Sequence, residues 1–255
     1  MRKVTWLRAV AVAILPSPLA TLALRMLGHK IGRRVRIGYS LLLADRICLD
    51  DDTYIGHLNL LCCECLLLRR GAWIGRLNIL WGPIRLVLRR DAAVGNSNKI
   101  TRGPLGSVTV GVAQLKLGHW SKLTANHRVD CTRSVLVGDY STIAGVGSQI
   151  WTHGYVHDLA GPGQYRIDGR VLIRNNVYIG SGAIINAGVT IGEAAIVGSG
   201  TVVANDLPGA GLYVSAAMRH LPRPVAPQER TDLVRVAPVS SGDVIYRKRR
   251  VRSDE

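Results

Sequence analysis

Apolar residues recur along this chain at an interval that neither an α-helix nor a plain amphipathic strand produces. Between Val171 and Asn205 an isoleucine or valine stands at 173, 179, 185, 191, 197 and 203, a period of six. The residue after each marker is Arg174, Gly180, Asn186, Gly192, Gly198 or Ala204, mostly small. The position four after it is Val177, Ala183, Val189, Ala195 or Thr201. Helices repeat at about 3.6 residues and strands at about 2. Six is the length of one flat side of a triangular β-helix, with its aliphatic residue inward and its small residue near the corner. The same interval fits Ile31, Ile37, Leu43, Leu49, Ile55 and Leu61, then slips by one to Ile74, Leu80 and Leu86. It returns at Leu117, Leu123 and Val129, and again at Val137 and Ile143. Slips are expected wherever a coil sheds a loop. The pattern predicts one elongated, all-β solenoid over residues 31–206, with about three hexads per turn.

The ends lie outside this rhythm. Val4 to Leu27 is apolar but interrupted by Arg8 and by Pro16-Ser17-Pro18, so it falls short of the roughly 20 unbroken apolar residues of a membrane span. A signal peptide would share the Arg2-Lys3 start, but Arg8 breaks its apolar run and the repeat follows directly. The expectation for 1–30 is a pair of amphipathic helices capping the first coil. Residues 154–170 hold Gly154, Gly161, Pro162, Gly163 and Gly169 and predict a loop outside the solenoid. Residues 207–255, with Pro222, Pro224, Pro227 and Pro238 and the basic run Arg247 to Arg250, are expected to form a partly disordered extension.

Composition adds three points. Hydrophobic residues make up 47% of the chain with no Phe, which suits a narrow core of Ile, Val and Leu. Five cysteines, three of them at 62, 63 and 65, lack the paired spacing of a zinc site. They are expected to pack as small apolar side chains in a reducing, cytoplasmic compartment, and no metal is expected. The formal charge is +16, and no Asp or Glu precedes Asp45. A basic apolar cap suits peripheral contact with an anionic membrane surface at the inner face of the plasma membrane. Nucleic acid is not expected, because no binding motif accompanies the charge.

Chemistry is expected where the repeat opens. His153 ends the run Ser148-Gln149-Ile150-Trp151-Thr152-His153 and stands at the mouth of the 154–170 loop. An imidazole held there by a rigid scaffold suits a general base near neutral pH, although a plain surface histidine would occupy the same place.

The hexads, the Thr152-His153 pair and the segments Ala125 to Thr132, Val137-Gly138-Asp139 and Ile143 to His153 resemble the hexapeptide-repeat acyltransferases, in particular bacterial sugar and polysaccharide O-acetyltransferases. The resemblance covers roughly residues 16 to 220 and implies a left-handed parallel β-helix. It implies that His153 removes the proton of a sugar hydroxyl, which attacks the thioester of acetyl-CoA directly in a ternary complex. The acceptor would be a sugar of a surface glycan or a lipid-linked precursor. Val177-Tyr178-Ile179-Gly180-Ser181 matches the family's Val-Trp-Ile-Gly run, with Tyr178 in place of tryptophan. By the same resemblance Tyr178, Ser181 and Ser199 line the coenzyme A groove and Arg219 contacts a nucleotide phosphate. Ser181 and Ser199 also read as plain small corner residues. The chain departs from the family at Ala204-Asn205 and at Ser215 to Arg219.

Asn126, His127 and Asp130 precede His153 by about one turn, and His157 begins the loop. They are candidates to bind acceptor hydroxyls, and Asp130 equally to orient an imidazole. Relatives act as homotrimers with sites between neighbours, so a homotrimer is expected. The competing readings are a non-catalytic trimeric scaffold, a carbonic anhydrase-like lyase drawing on His119, His127, His153 and His157, and a nucleotidyltransferase.

Overall fold

The computed structural model describes residues 3–215, 226–236 and 244–249. Its body is a solenoid of short parallel strands stacked coil upon coil. Along one face, Arg36 pairs with Tyr54, Tyr54 with Trp73 and Trp73 with Ala93, steps of 18, 19 and 20 residues. That is three hexads per turn. Two steps are longer. Ala93 pairs with Lys122 and Thr142 with Tyr178, because the chain leaves the coil over roughly 102–112 and 153–169. The other two faces merge into one sheet, since the nine-residue strands Leu41–Leu49 and Leu60–Leu68 bend around the corner between them.

The markers at 173, 179, 185, 191, 197 and 203 are all buried in one continuous apolar core. One position differs from the periodic reading. Leu42, paired with Leu61, points into the prism, whereas Leu43 points outward with Cys62 and is covered by Ala9. A run of three leucines at 41–43 hides such a shift of one. The corners use two devices. One residue past the marker, backbones of adjacent coils nearly touch, and a Cβ on Gly75 would stand 2.6 Å from the Gly95 carbonyl oxygen. Three residues past the marker the chain turns through left-handed backbone, at Asn176 (φ 56°), Gly182, Gly188, Ala194 (φ 58°) and Gly200.

A polar column runs inside one corner. The backbone N–H of Asn59 donates to Ser40 Oγ (2.9 Å), that of Asn78 to Asn59 Oδ1 (2.9 Å), and that of Asn98 to Asn78 Oδ1 (2.9 Å). His127 N–H continues it to Asn98 Oδ1 (3.0 Å), and Ser148 N–H ends it on His127 Nδ1 (3.1 Å). Each buried side chain thus satisfies a corner amide that the strands leave unpaired.

Helices α1 (Lys3–Ala13) and α2 (Ser17–Met26) lie at the N-terminal end. Val12, Ala20 and Leu24 join the main core. Ser17 Oγ accepts the N–H of Ile37 (2.9 Å), while Arg25 donates to the carbonyls of Ile31 (3.1 Å) and Gly32 (2.6 Å). These are strand-edge groups of the first coil with no earlier coil to meet them. No helix among the described residues is long and apolar enough to cross a membrane.

The excursion at 153–168 is a hairpin of β1 (His153–His157) and β2 (Gln164–Asp168). The C-terminal region, expected as an extension, contributes β3 (Leu233–Arg235) and β4 (Val244–Lys248) to the same sheet, in the order β1-β2-β4-β3. Tyr165, Leu233 and Tyr246 form its small core.

Candidate active site

The corner where the hairpin leaves the coil brings Asp130 and His153 together. Asp130 ends the strand Arg128–Asp130, and the next coil places Thr152-His153 directly over it. His153 Nδ1 lies 2.9 Å from Asp130 Oδ2. Oδ2 also accepts the Thr152 N–H (3.0 Å) and the Thr152 hydroxyl. Oδ1 accepts the Thr132 hydroxyl (2.9 Å) and N–H (3.3 Å). Burial pushes the Asp130 carboxyl up, but the hydrogen bond and charge of His153, with the two threonines, outweigh it and hold the group below its ordinary value. An ionised carboxylate only accepts, so Nδ1 carries a proton, and in the neutral ring Nε2 is the acceptor. Nε2 has no hydrogen-bond partner among the described residues, and the ring stands between Trp151 and Tyr155 in edge contacts at 6.3 and 6.0 Å. The side chain is 27% exposed. The pair therefore presents an oriented proton acceptor at the surface.

Across the hairpin, Asp168 is the direct partner of His153 and Arg166 that of Tyr155. Arg166 and Asp168, 1% and 2% exposed, form a two-point ion pair, Nε to Oδ1 at 2.7 Å and Nη2 to Oδ2 at 3.2 Å. Burial lifts the Asp168 carboxyl above its ordinary value even with that guanidinium in place. Gly169 closes the hairpin by donating its N–H to Thr152 carbonyl oxygen (2.9 Å), and a Cβ there would collide with Gly188 of the next coil.

The remaining sequence candidates are dispersed. His127 is 1% exposed inside the corner column, with Nε2 3.0 Å from Thr124 Oγ1. Burial lowers its pKa to about 4, against the upward pull of its backbone hydrogen bonds. It belongs to the coil-to-coil bonding and not to the surface around His153. Asn126 is exposed at that same corner in left-handed backbone (φ 52°). His157 is exposed on the hairpin, four residues and roughly 13 Å from His153 along the strand. Tyr178 is exposed on the neighbouring face, in a row with Ile196 and Leu212. Ser181 Oγ accepts the Val146 N–H (3.3 Å), and Ser199 lies one coil further, packed against Gly180. These three stand a full prism side away from His153 within one chain. Arg219 lies outside the described residues.

Sequence reasoning did not single out Thr132 and Thr152 as the pins of Asp130, nor the tail strand β4. The threonines were visible only as neighbours of the candidates. The β-prone run Val244-Ile245-Tyr246 was the available signal for β4.

Residues 170–205 match the family of bacterial transferase hexapeptide repeats, six in number. No curated protein matches the chain. Among solved structures, the hexapeptide-repeat acetyltransferase of Vibrio cholerae is similar at 27% identity over 42% of this chain, with a TM-score of 0.36. The chain spans 61% of that protein. The polySia-specific acetyltransferase NeuO is similar at 15% identity, covering 80% of this chain and 93% of its own, with a TM-score of 0.42. The N-acyltransferase AntD of Bacillus cereus, solved with dTDP and 3-hydroxybutyryl-CoA, is similar at 17% identity, covering 75% and 81%, with a TM-score of 0.37. Residues 170–205 thus carry six hexapeptide repeats that match the bacterial transferase hexapeptide model.

Proposed function

We propose that this chain is an acetyl-CoA-dependent O-acyltransferase that modifies a sugar hydroxyl of a surface glycan or its lipid-linked precursor. The observation that carries the reading is the Asp130–His153 pair, with a protonated Nδ1 and an outward Nε2. Acetyl-CoA supplies the acyl thioester as electrophile. His153 Nε2 takes the hydroxyl proton as the C–O bond forms and the C–S bond breaks, and returns it to the departing sulfur. A positioned imidazole contributes roughly 10²–10⁴ in rate.

The outer face offers a ledge that fits the donor. Tyr178, Ile196 and Leu212 form an exposed apolar row, flanked by the small corner residues Ser181 and Ser199. Because this ledge is a prism side away from His153, one chain supplies the base and a neighbour the ledge. This favours a homotrimer of left-handed coils. The helices support peripheral attachment to the inner membrane face. Leu7, Ile14 and Met26 are 74%, 72% and 80% exposed in a region with no acidic residue before Asp45.

The test is thiol release from acetyl-CoA in the presence of an acceptor sugar. His153→Ala is expected to lower turnover at least a hundredfold. Unchanged turnover removes His153 as the base.

A further inference from the structure

The tail strand β4 does more than extend the hairpin sheet. Its register sets Arg247 opposite Asp168, which is itself opposite His153, so the three form one cross-strand row. Row neighbours project from the same face of a sheet. Two strand spacings separate the Cα atoms of His153 and Arg247, about 10 Å. The Lys248 side chain lies on Gly188 of the coil below, tying the strand down beside the corner.

Arg133 approaches from the solenoid side. Its N–H donates to Thr152 Oγ1 (2.9 Å), one residue from the base, and its Nη1 donates to the Val110 carbonyl (3.4 Å). The two carboxylates at this corner are already engaged. Asp130 serves His153, Thr132 and Thr152, and Asp168 is held by Arg166. Neither Arg133 nor Arg247 forms an ion pair among the described residues. Burial, and then the charges of Arg247 and Arg170, hold the Arg133 guanidinium below its ordinary pKa against the upward pull of Asp168. Placing two such groups within each other's field is unfavourable, and a bound anion relieves it. Guanidinium forks match the paired oxygens of a carboxylate or phosphate.

Building on the acyl-transfer reading of His153, we propose that the acceptor is an acidic sugar, whose carboxylate or phosphate is received by Arg133 and Arg247 while its hydroxyl meets His153. The C-terminal segment is then part of the acceptor site.

The experiment is calorimetric titration of the full chain with glucuronic acid, glucose 1-phosphate, glucose, inorganic phosphate and coenzyme A. Both acidic sugars are expected to bind at least tenfold tighter than glucose, and the tighter of the two identifies the anion as carboxylate or phosphate. Arg247→Glu, at an exposed strand position, is expected to weaken them at least tenfold and leave coenzyme A within twofold. Arg235→Glu makes the same charge change on the opposite face of the tail sheet and is expected to leave both unchanged. Acidic sugars binding no tighter than glucose, inorganic phosphate binding as well as glucose 1-phosphate, or equal losses in the two variants overturn the acidic-acceptor site. Absent coenzyme A binding alongside an intact preference for acidic sugars sinks the acyltransferase reading and leaves the anion site standing.

Discussion

Asp130 decides what the imidazole at 153 can do. Its charge fixes the proton on Nδ1, and two threonines fix the carboxylate. Asp130→Asn keeps the shape and removes the charge. Turnover with an acceptor is expected to fall by roughly 10²–10⁴ with the acetyl-CoA KM unchanged. A loss confined to KM would show that Asp130 acts in binding instead. His127 makes a different prediction. Its folded pKa of about 4 lies below its ordinary 6.5, so the unfolded chain binds the extra proton first. The stability it permits is complete above pH 6.5 and is lost as pH falls toward 4. The change is on the order of 3 kcal/mol for about 2.5 units. His127→Asn, which continues the asparagine column, is expected to flatten this part of the stability profile in denaturant titrations at pH 7 and 4.5. An identical slope in the variant would place the titration elsewhere. In the sequence, His153 and Asp130 were legible because the repeat breaks beside one and the coil length predicts the other beneath it. His127 looked equally chemical, and only its burial separates it from them. The column Ser40, Asn59, Asn78, Asn98 has a 19- to 20-residue spacing that was present in the sequence, but it was masked by the stronger aliphatic rhythm.

Strand β4 supports the hairpin from the far end of the chain. Tyr246 packs edge-on against Tyr165 at 5.5 Å, and Leu233 completes the cluster. Tyr246→Ala is expected to cost the sheet about 3 kcal/mol. It should speed hydrogen exchange at Gln164–Asp168 and leave the solenoid amides unaffected. Uniform acceleration along the chain would mean that hairpin and solenoid open together. This pairing was illegible beforehand for a physical reason. Strand partners more than seventy residues apart leave no periodic trace, and a three-residue β-prone run beside a basic stretch reads as readily as coil. The solenoid strands, many only two or three residues long, were legible because most of their partners recur 18 to 20 residues apart.

At the scale of assembly, the proposed transfer calls for more than one chain, because His153 and the Tyr178–Ser181–Ser199 ledge lie apart within each. Sedimentation of the purified protein is expected to give a trimer. A monomer that retains turnover would require the donor to reach His153 by another path. The helices matter to assembly for a second reason. A stack of coils is finite only if its first rim is sealed, because bare strand groups accept further strands. Ser17 and Arg25 occupy three such groups, on Ile37, Ile31 and Gly32. With both changed to alanine, that rim becomes a growing tip to which other molecules can add end to end. The double variant should form filaments after a concentration-dependent lag, followed by turbidity, so two side chains set the line between a discrete molecule and a fibre.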